Sequence, residues 1–336
     1  MSLSPLTAEC AAVRQAAGLF DLSDRGALEL DGADRASFLH RLTSNDILHL
    51  AAGRSMYAMF LTNQAKILAD ALVVALEQSH GLLLDSPTLA AKVLGLLDQY
   101  HFSEEVTFAD RTGAWTQSAL QGPHAQAALA ALGAPVAMLE AFQHTTWNVD
   151  QHAVRIIRRT LTGECGYLLI TDAAYGPQLR QRLLEAGHAH GVRPVGREAL
   201  NVLRIEAGIP WYGPDMDETT LQPETGLADA ASDAKGCYIG QEIVARIASQ
   251  GQVQRRLMGL RVSGSTVPQP GDRMRCEGRD VGAITSAAYS PALKEPIALG
   301  YLHHNAWEPG RRVEIAHGAA MLQATVSALP FIPAHG

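Results

Sequence analysis

An α+β chain that ends in a small β-barrel or sandwich is what these 336 residues predict. Up to Gly251, short strand patterns, helix patterns and hairpins alternate irregularly, without the steady strand–helix repeat of a parallel-sheet fold. From Leu257 onward helix patterns give way to evenly spaced short strands separated by turns. The length suits two or three domains, with a boundary placed between residues 1–255 and 256–330.

Taken in order, Thr7 is positioned to cap a first helix that Gly18 closes. Ala27–Leu30 alternates as a strand and stops at Asp31-Gly32, and a helix carrying Phe38, Leu39 and Leu42 on one face follows. Ser55–Leu61 and Ile67–Leu76 form a strand pair around Thr62-Asn63-Gln64, and Leu82–Leu84 is a further strand. Pro87 opens a helix whose face is Leu89, Val93, Leu96 and Leu97. Strands at Glu105–Phe108 and Trp115–Leu120 lead to a helix after Gly122-Pro123. Val154–Thr160 pairs with Tyr167–Thr171 as a hairpin, and helices follow at Tyr175–Gly187 and Gly196–Ala207. The C-terminal strands are Leu257–Val262, Val281–Ala287, Ile297–Tyr301, Arg312–Ile315 and Ala320–Val326.

Hydrophobic residues make up 47% and charged residues 18%, which places the chain among globular proteins and away from disordered ones. A net charge of −7 gives no default attraction to nucleic acid or anionic lipid, so direct nucleic-acid binding is not expected. The basic run from Arg155 to Arg159 lacks the interleaved aromatics of a stacking platform. No apolar run approaches the roughly 20 residues of a membrane span, and residues 1–9 lack the basic, apolar pattern of a leader, so a cytoplasmic location is expected. Cys10, Cys165, Cys237 and Cys276 lie far apart, with no Cys-x-x-Cys, and no His-Glu-x-x-His occurs, so no metal site is expected.

The informative stretch is Lys235-Gly236-Cys237-Tyr238-Ile239-Gly240-Gln241-Glu242, which leads into a helix that Gly251 ends. An ammonium and a helix N-terminus both favour thiolate over thiol, so Cys237 is a candidate reactive group with Lys235 beside it. A cysteine that merely fills a turn as a small apolar residue is the other reading, and the motif leaves both open.

This octapeptide resembles the signature of the YgfZ family. Most of the chain resembles the wider group that contains the glycine cleavage T-protein, an aminomethyltransferase. Gly18-Leu19-Phe20-Asp21-Leu22-Ser23, the turn Thr43–Asp46, Tyr57, the hairpin Thr162-Gly163-Glu164-Cys165-Gly166-Tyr167 and the segments Leu203–Gly208 and Tyr212–Asp215 carry the likeness. The resemblance implies two intertwined α+β parts, one of them ferredoxin-like, and a C-terminal barrel around a central opening for tetrahydrofolate. For the YgfZ branch it implies a folate-binding accessory protein that supports iron–sulfur cluster assembly or repair, including the iron–sulfur enzymes of tRNA modification. Its partners would be those enzymes or their assembly proteins. The alternative is a tetrahydrofolate-dependent aminomethyltransferase or other one-carbon transferase.

Departures from the T-protein pattern favour the accessory branch. Leu168 stands where that group has a glutamate that grips the pterin, and Ala69-Asp70 where it has an acidic pair. The resemblance makes Tyr57, Asp70 and Arg197 folate contacts, and Cys237, Lys235 and Asp70 the candidates for chemistry. An acid such as Asp70 among Ile67, Leu68, Leu72 and Val73 needs a reason to be there. Glu164 is read as a hydrogen-bond acceptor in its hairpin, and Arg204 and Glu206 as packing or ion-pair residues.

Overall fold

The computed structural model describes residues 4–251 and 253–334, and the architecture is α+β with a closed barrel. Its first sheet has five strands: β3 (Ser55–Leu61), β4 (Ile67–Ala75), β5 (His80–Leu84), β2 (Gly26–Asp31) and β6 (Thr107–Asp110), in that order across the sheet. Its second has six: β11 (Val192–Val195), β1 (Ala17–Asp21), β7 (Trp115–Gln121), β10 (Gly166–Asp172), β9 (His152–Arg158) and β8 (His144–Val149). All neighbours are antiparallel except β1 and β11. The two sheets exchange sequence, because β1 and β7 of the second flank β2–β6 of the first.

Each sheet has one face under helices. Helices α2 (Arg35–Leu42) and α3 (Pro87–Tyr100) cover the five-stranded sheet, with Phe38, Leu39, Val93 and Leu97 meeting Leu28, Leu82 and Val73. Helices α4 (Ala125–Ala131) and α5 (Gly176–Gly187) cover the six-stranded sheet through Leu129, Leu179 and Leu183 against Tyr167 and Leu169. The other two faces meet. Leu72, Val74 and Leu83 share a core with Phe20, Ala119, Leu168 and Ile170, joined by Ile297, Leu299 and Tyr301 of the barrel. Strand alternation explains this division, since Tyr167 and Leu169 point to the helices while Leu168 and Ile170 point to the facing sheet.

The barrel closes in the order β12 (Arg255–Val262), β15 (Glu295–His303), β14 (Arg279–Ser290), β13 (Arg273–Cys276), β16 (Arg312–His317), β17 (Ala320–Ser327). Closure leaves no free strand edge. Helix α6 (Arg197–Glu206) joins the barrel to the rest of the fold through hydrogen bonds to β14 and ion pairs to other segments. Arg204 pairs with Asp215 and donates to Ser286 Oγ on β14, while Glu206 takes Arg14 Nη2 at 2.7 Å. The remaining helix, α7 (Gln241–Gln250), follows the octapeptide. No described helix is long and apolar enough to cross a membrane.

Several elements sit differently from the sequence reading. Helix α1 (Pro5–Gln15) begins earlier than Thr7, because Ser4 caps it by accepting Thr7 N at 3.2 Å and Pro5 takes the first helical position. Strands β1, β8 and β11 carry no clean alternation and are defined by their partners, while β13 alternates but is only four residues long.

Candidate functional site

A cavity of about 580 Å³ opens where the two bare sheet faces diverge. Leu72, Leu83, Phe142, Leu161, Leu168 and Trp211 give it apolar walls, and residues 226–230 form part of its rim. Into it come a few polar groups: Tyr57 from β3, Asp70 from β4, Gln117 from β7, the ion pair Arg25–Asp85 at 3.1 Å, and Arg159 just past β9.

Tyr57 and Asp70 meet because of strand register. Tyr57 faces Leu72 and Met59 faces Asp70, so Tyr57 and Asp70 are diagonal neighbours on one face of the β3–β4 hairpin, within reach of a tyrosine. The Tyr57 hydroxyl donates to Asp70 Oδ2. Asp70 is only 6% exposed, and its Oδ1 has no hydrogen-bond partner. Burial, together with the charge of Asp85, pushes its pKa up to about 7. Burial, reinforced by the Asp70 charge, holds the Tyr57 phenol well above its usual range. Gln117 donates Nε2 to Gly26 O at 3.1 Å, which leaves Oε1 without a partner. Arg159 lies over the Tyr57 ring at 5.0 Å. The cavity thus holds a carboxyl able to titrate near neutrality, fixed by a phenol, with unsatisfied polar atoms in an apolar setting.

Of the residues singled out in the sequence, Tyr57 and Asp70 are brought together here. Arg197 is not. It sits on the surface at the start of α6, paired with Asp24 at 2.6 Å, and does not line the cavity. Lys235 and Cys237 are also elsewhere. Lys235 is buried, and its ammonium donates to the carbonyls of His40, Thr43 and Asn45, the last two at 2.7 and 2.8 Å. Those carbonyls close the C-terminal end of α2, where a cation is favoured. Burial pulls the Lys235 pKa down to about 8. Cys237 is exposed on the adjoining turn. Glu164 accepts from Arg14 Nη1 at 2.6 Å, and Arg204 and Glu206 both form ion pairs. Gln117 and Arg159 were missed, because neither a strand glutamine nor one arginine in a basic run stands out until the fold places it.

The same joint reaches the cavity. Asn45 Nδ2 donates to Tyr57 O at 2.9 Å and to Asp229 O at 2.7 Å, while Ser44 Oγ donates to Ala230 O. Lys235 therefore braces the segment that ties the Tyr57 strand to the cavity rim.

The chain matches the family described as the GCVT N-terminal domain over residues 3–235 and the glycine cleavage T-protein C-terminal barrel domain over residues 255–332. An aminomethyltransferase of Chloroherpeton thalassium is 29% identical, over 96% of this chain and 89% of that protein. One of Nostoc sp. is 32% identical, over 98% of this chain and 89% of its own length. Among solved structures, the glycine cleavage system aminomethyltransferase T from Bartonella henselae superposes with a TM-score of 0.89 at 27% identity, covering 98% of this chain and 90% of that one. These relatives are named for aminomethyl transfer. None of those names refers to iron–sulfur clusters or tRNA.

Proposed function

The chain belongs to the glycine cleavage T-protein family, and on that premise we propose that its central cavity binds tetrahydrofolate and serves one-carbon transfer of the aminomethyltransferase kind. The observation that carries this reading is the Tyr57–Asp70 pair, a buried carboxyl with a free oxygen inside a cavity of small-molecule size. The lining suits a folate. Apolar walls fit a flat ring system, and the unpartnered Asp70 Oδ1 and Gln117 Oε1 can each accept from its N–H groups. Asp70, Gln117 and Tyr57 would hold it, and when bound it supplies the nitrogens that carry the one-carbon unit.

Asp70 is the group that holds or moves a proton. With its pKa near 7 it populates both forms around neutral pH, which suits a general acid–base group. Tyr57 fixes Oδ2, so that Oδ1 is the exchanging atom, and the phenol stays protonated because burial disfavours its anion. The apolar walls keep water from competing for the one-carbon unit.

The test is turnover by the purified chain with tetrahydrofolate and an aminomethyl-loaded lipoyl carrier, read as ammonia release. Release that needs both components and falls in Asp70→Asn supports the reading. Tight folate binding without release turns the assignment to the second reading.

That second reading is the folate-binding accessory protein for iron–sulfur cluster assembly or repair, with Cys237 as its thiol. Leu168 in the cavity wall favours it, since a leucine cannot accept the hydrogen bonds that the T-protein resemblance assigns to a glutamate there. The exposure of Cys237 favours it too. Complementation of a bacterium lacking its YgfZ-type protein, with wild type and Cys237→Ala, separates the two: rescue by wild type alone supports the thiol role.

A further inference from the structure

Among the described residues, two arginines drawn into the interior have acidic partners, and a third, half-buried arginine in the cavity has none. Arg204 has Asp215, and Arg14 has Glu164 and Glu206. Arg159 lines the cavity, yet its side chain makes no hydrogen bond or ion pair with any described residue, and its Nη1 is sealed from solvent without a partner. Its guanidinium is held only by aromatic faces, Tyr57 at 5.0 Å and Phe142 at 5.6 Å. The nearby acids are engaged elsewhere, Asp70 with Tyr57 and Asp85 with Arg25. Arg25 adds positive charge to the same wall.

A guanidinium does not shed its proton when it is drawn out of water, and a half-buried charge with a sealed, unpartnered nitrogen is costly until an acceptor reaches it. Two aromatic faces fix the plane of the fork and leave its edge for a planar, two-oxygen acceptor. A doubly charged phosphate would be opposed by Asp70 and Asp85, which line the same cavity, more strongly than a singly charged carboxylate would be.

We infer that Arg159 is a carboxylate-binding subsite of the cavity, whose counter-ion arrives with the ligand. The inference rests on the folate reading only for the identity of that ligand. The carboxylate comes either from the glutamate tail of the folate or from a small amino-acid co-substrate bound beside the ring.

Calorimetric titration distinguishes these sources. The ligands are tetrahydrofolate, 6-methyltetrahydropterin (the same ring without a carboxylate), and glycine added to pterin-loaded protein, each against wild type, Arg159→Gln and Arg159→Lys. Arg159→Met, with melting curves for every variant, guards against misfolding. If the tail supplies the group, Arg159→Gln weakens tetrahydrofolate about tenfold or more and leaves the pterin within about twofold. If a co-substrate supplies it, tetrahydrofolate and pterin bind alike and only glycine binding is lost. In both cases Arg159→Lys, with the charge but not the fork, falls between wild type and Arg159→Gln. Equal binding of all three ligands by wild type and Arg159→Gln overturns the subsite while leaving the folate reading intact. Equal weakening of tetrahydrofolate and the carboxylate-free pterin overturns it as well. Arg159-dependent glycine binding in a wild type that takes neither folate nor pterin would instead sink the folate reading and keep the subsite.

Discussion

The cavity and the Lys235–Glu242 turn differ in how they are written in the chain and in what they do in the fold. The turn is a contiguous, conspicuous motif, yet Lys235 closes a helix end and Tyr238 is buried against the β3–β4 hairpin. The cavity is assembled from single residues far apart in sequence, such as Tyr57, Asp70, Gln117 and Arg159, and the last three of these bring unsatisfied polar atoms into it. Within the turn it is Lys235, Tyr238 and Gly240 that are buried, while Gly236, Cys237 and Glu242 are exposed. A ligand site needs only convergence in space. The two regions communicate through Asn45, which hangs from the Lys235 joint and bonds to both the Tyr57 backbone and the cavity rim.

The largest effect that would sharpen this contrast is at Asp70. Asp70→Asn keeps a hydrogen-bond acceptor for Tyr57 but cannot exchange a proton, so one-carbon turnover should fall by a factor on the order of 10²–10⁴. Folding has the matching sign. The Asp70 pKa rises from 3.8 when exposed to about 7 in the fold, so the folded state holds its proton where the unfolded chain has released it. Stability contributed by this residue is then full below pH 4 and declines as pH climbs towards 7. Asp70→Asn should remove that decline, making the variant more stable than wild type at pH 8, as melting curves across pH would show. A variant that keeps both full turnover and the wild-type pH dependence would mean that the cavity carboxyl is not the working group.

Next is the joint. Lys235→Met retains the stem but takes the ammonium from the carbonyls of His40, Thr43 and Asn45, of which Asn45 O keeps Ile47 N, and should cost about 2–4 kcal/mol in denaturant unfolding. Because Asn45 links the joint to Tyr57, folate binding should weaken as well. Folate affinity unchanged at full loss of stability would separate the two regions. A smaller cost, about 1–3 kcal/mol, is expected for Gly240→Ala. Gly240 has φ +87°, and a Cβ there would lie 2.6 Å from Thr62 O, so both conformation and space demand glycine.

The fold class, the barrel and most helices were legible because hydrophobic periodicity and Gly/Pro punctuation are local signals. Strands β1, β8 and β11 were not, since pairing with distant strands decides them. In the site, Tyr57 and Asp70 were legible, Asp70 as an acid in an apolar strand and Tyr57 through family resemblance. Arg197 lay in a plausible motif but faces solvent beside Asp24, because the first turn of α6 points away from the cavity. Arg159 was hidden by its own neighbours. Arg155 pairs with Glu77 and Arg158 donates to Leu139 O at 2.6 Å, and only the fold reveals that the third arginine enters the cavity without a partner.

The smallest effect tests the turn's most conspicuous residue. Cys10 and Cys276 are buried and Cys165 is half-buried, whereas Cys237 is exposed. Limited alkylation of the native protein should therefore label Cys237 first, with mass spectrometry locating the adduct. Cys237→Ser removes no packing and no hydrogen bond of the joint, so stability should stay within about 0.5 kcal/mol and folate affinity should be unchanged. Loss of folate binding in that variant would break the separation between turn and cavity. Unchanged binding with lost complementation would sharpen it, placing the thiol's work on a partner that meets the turn from outside while the folate lies within.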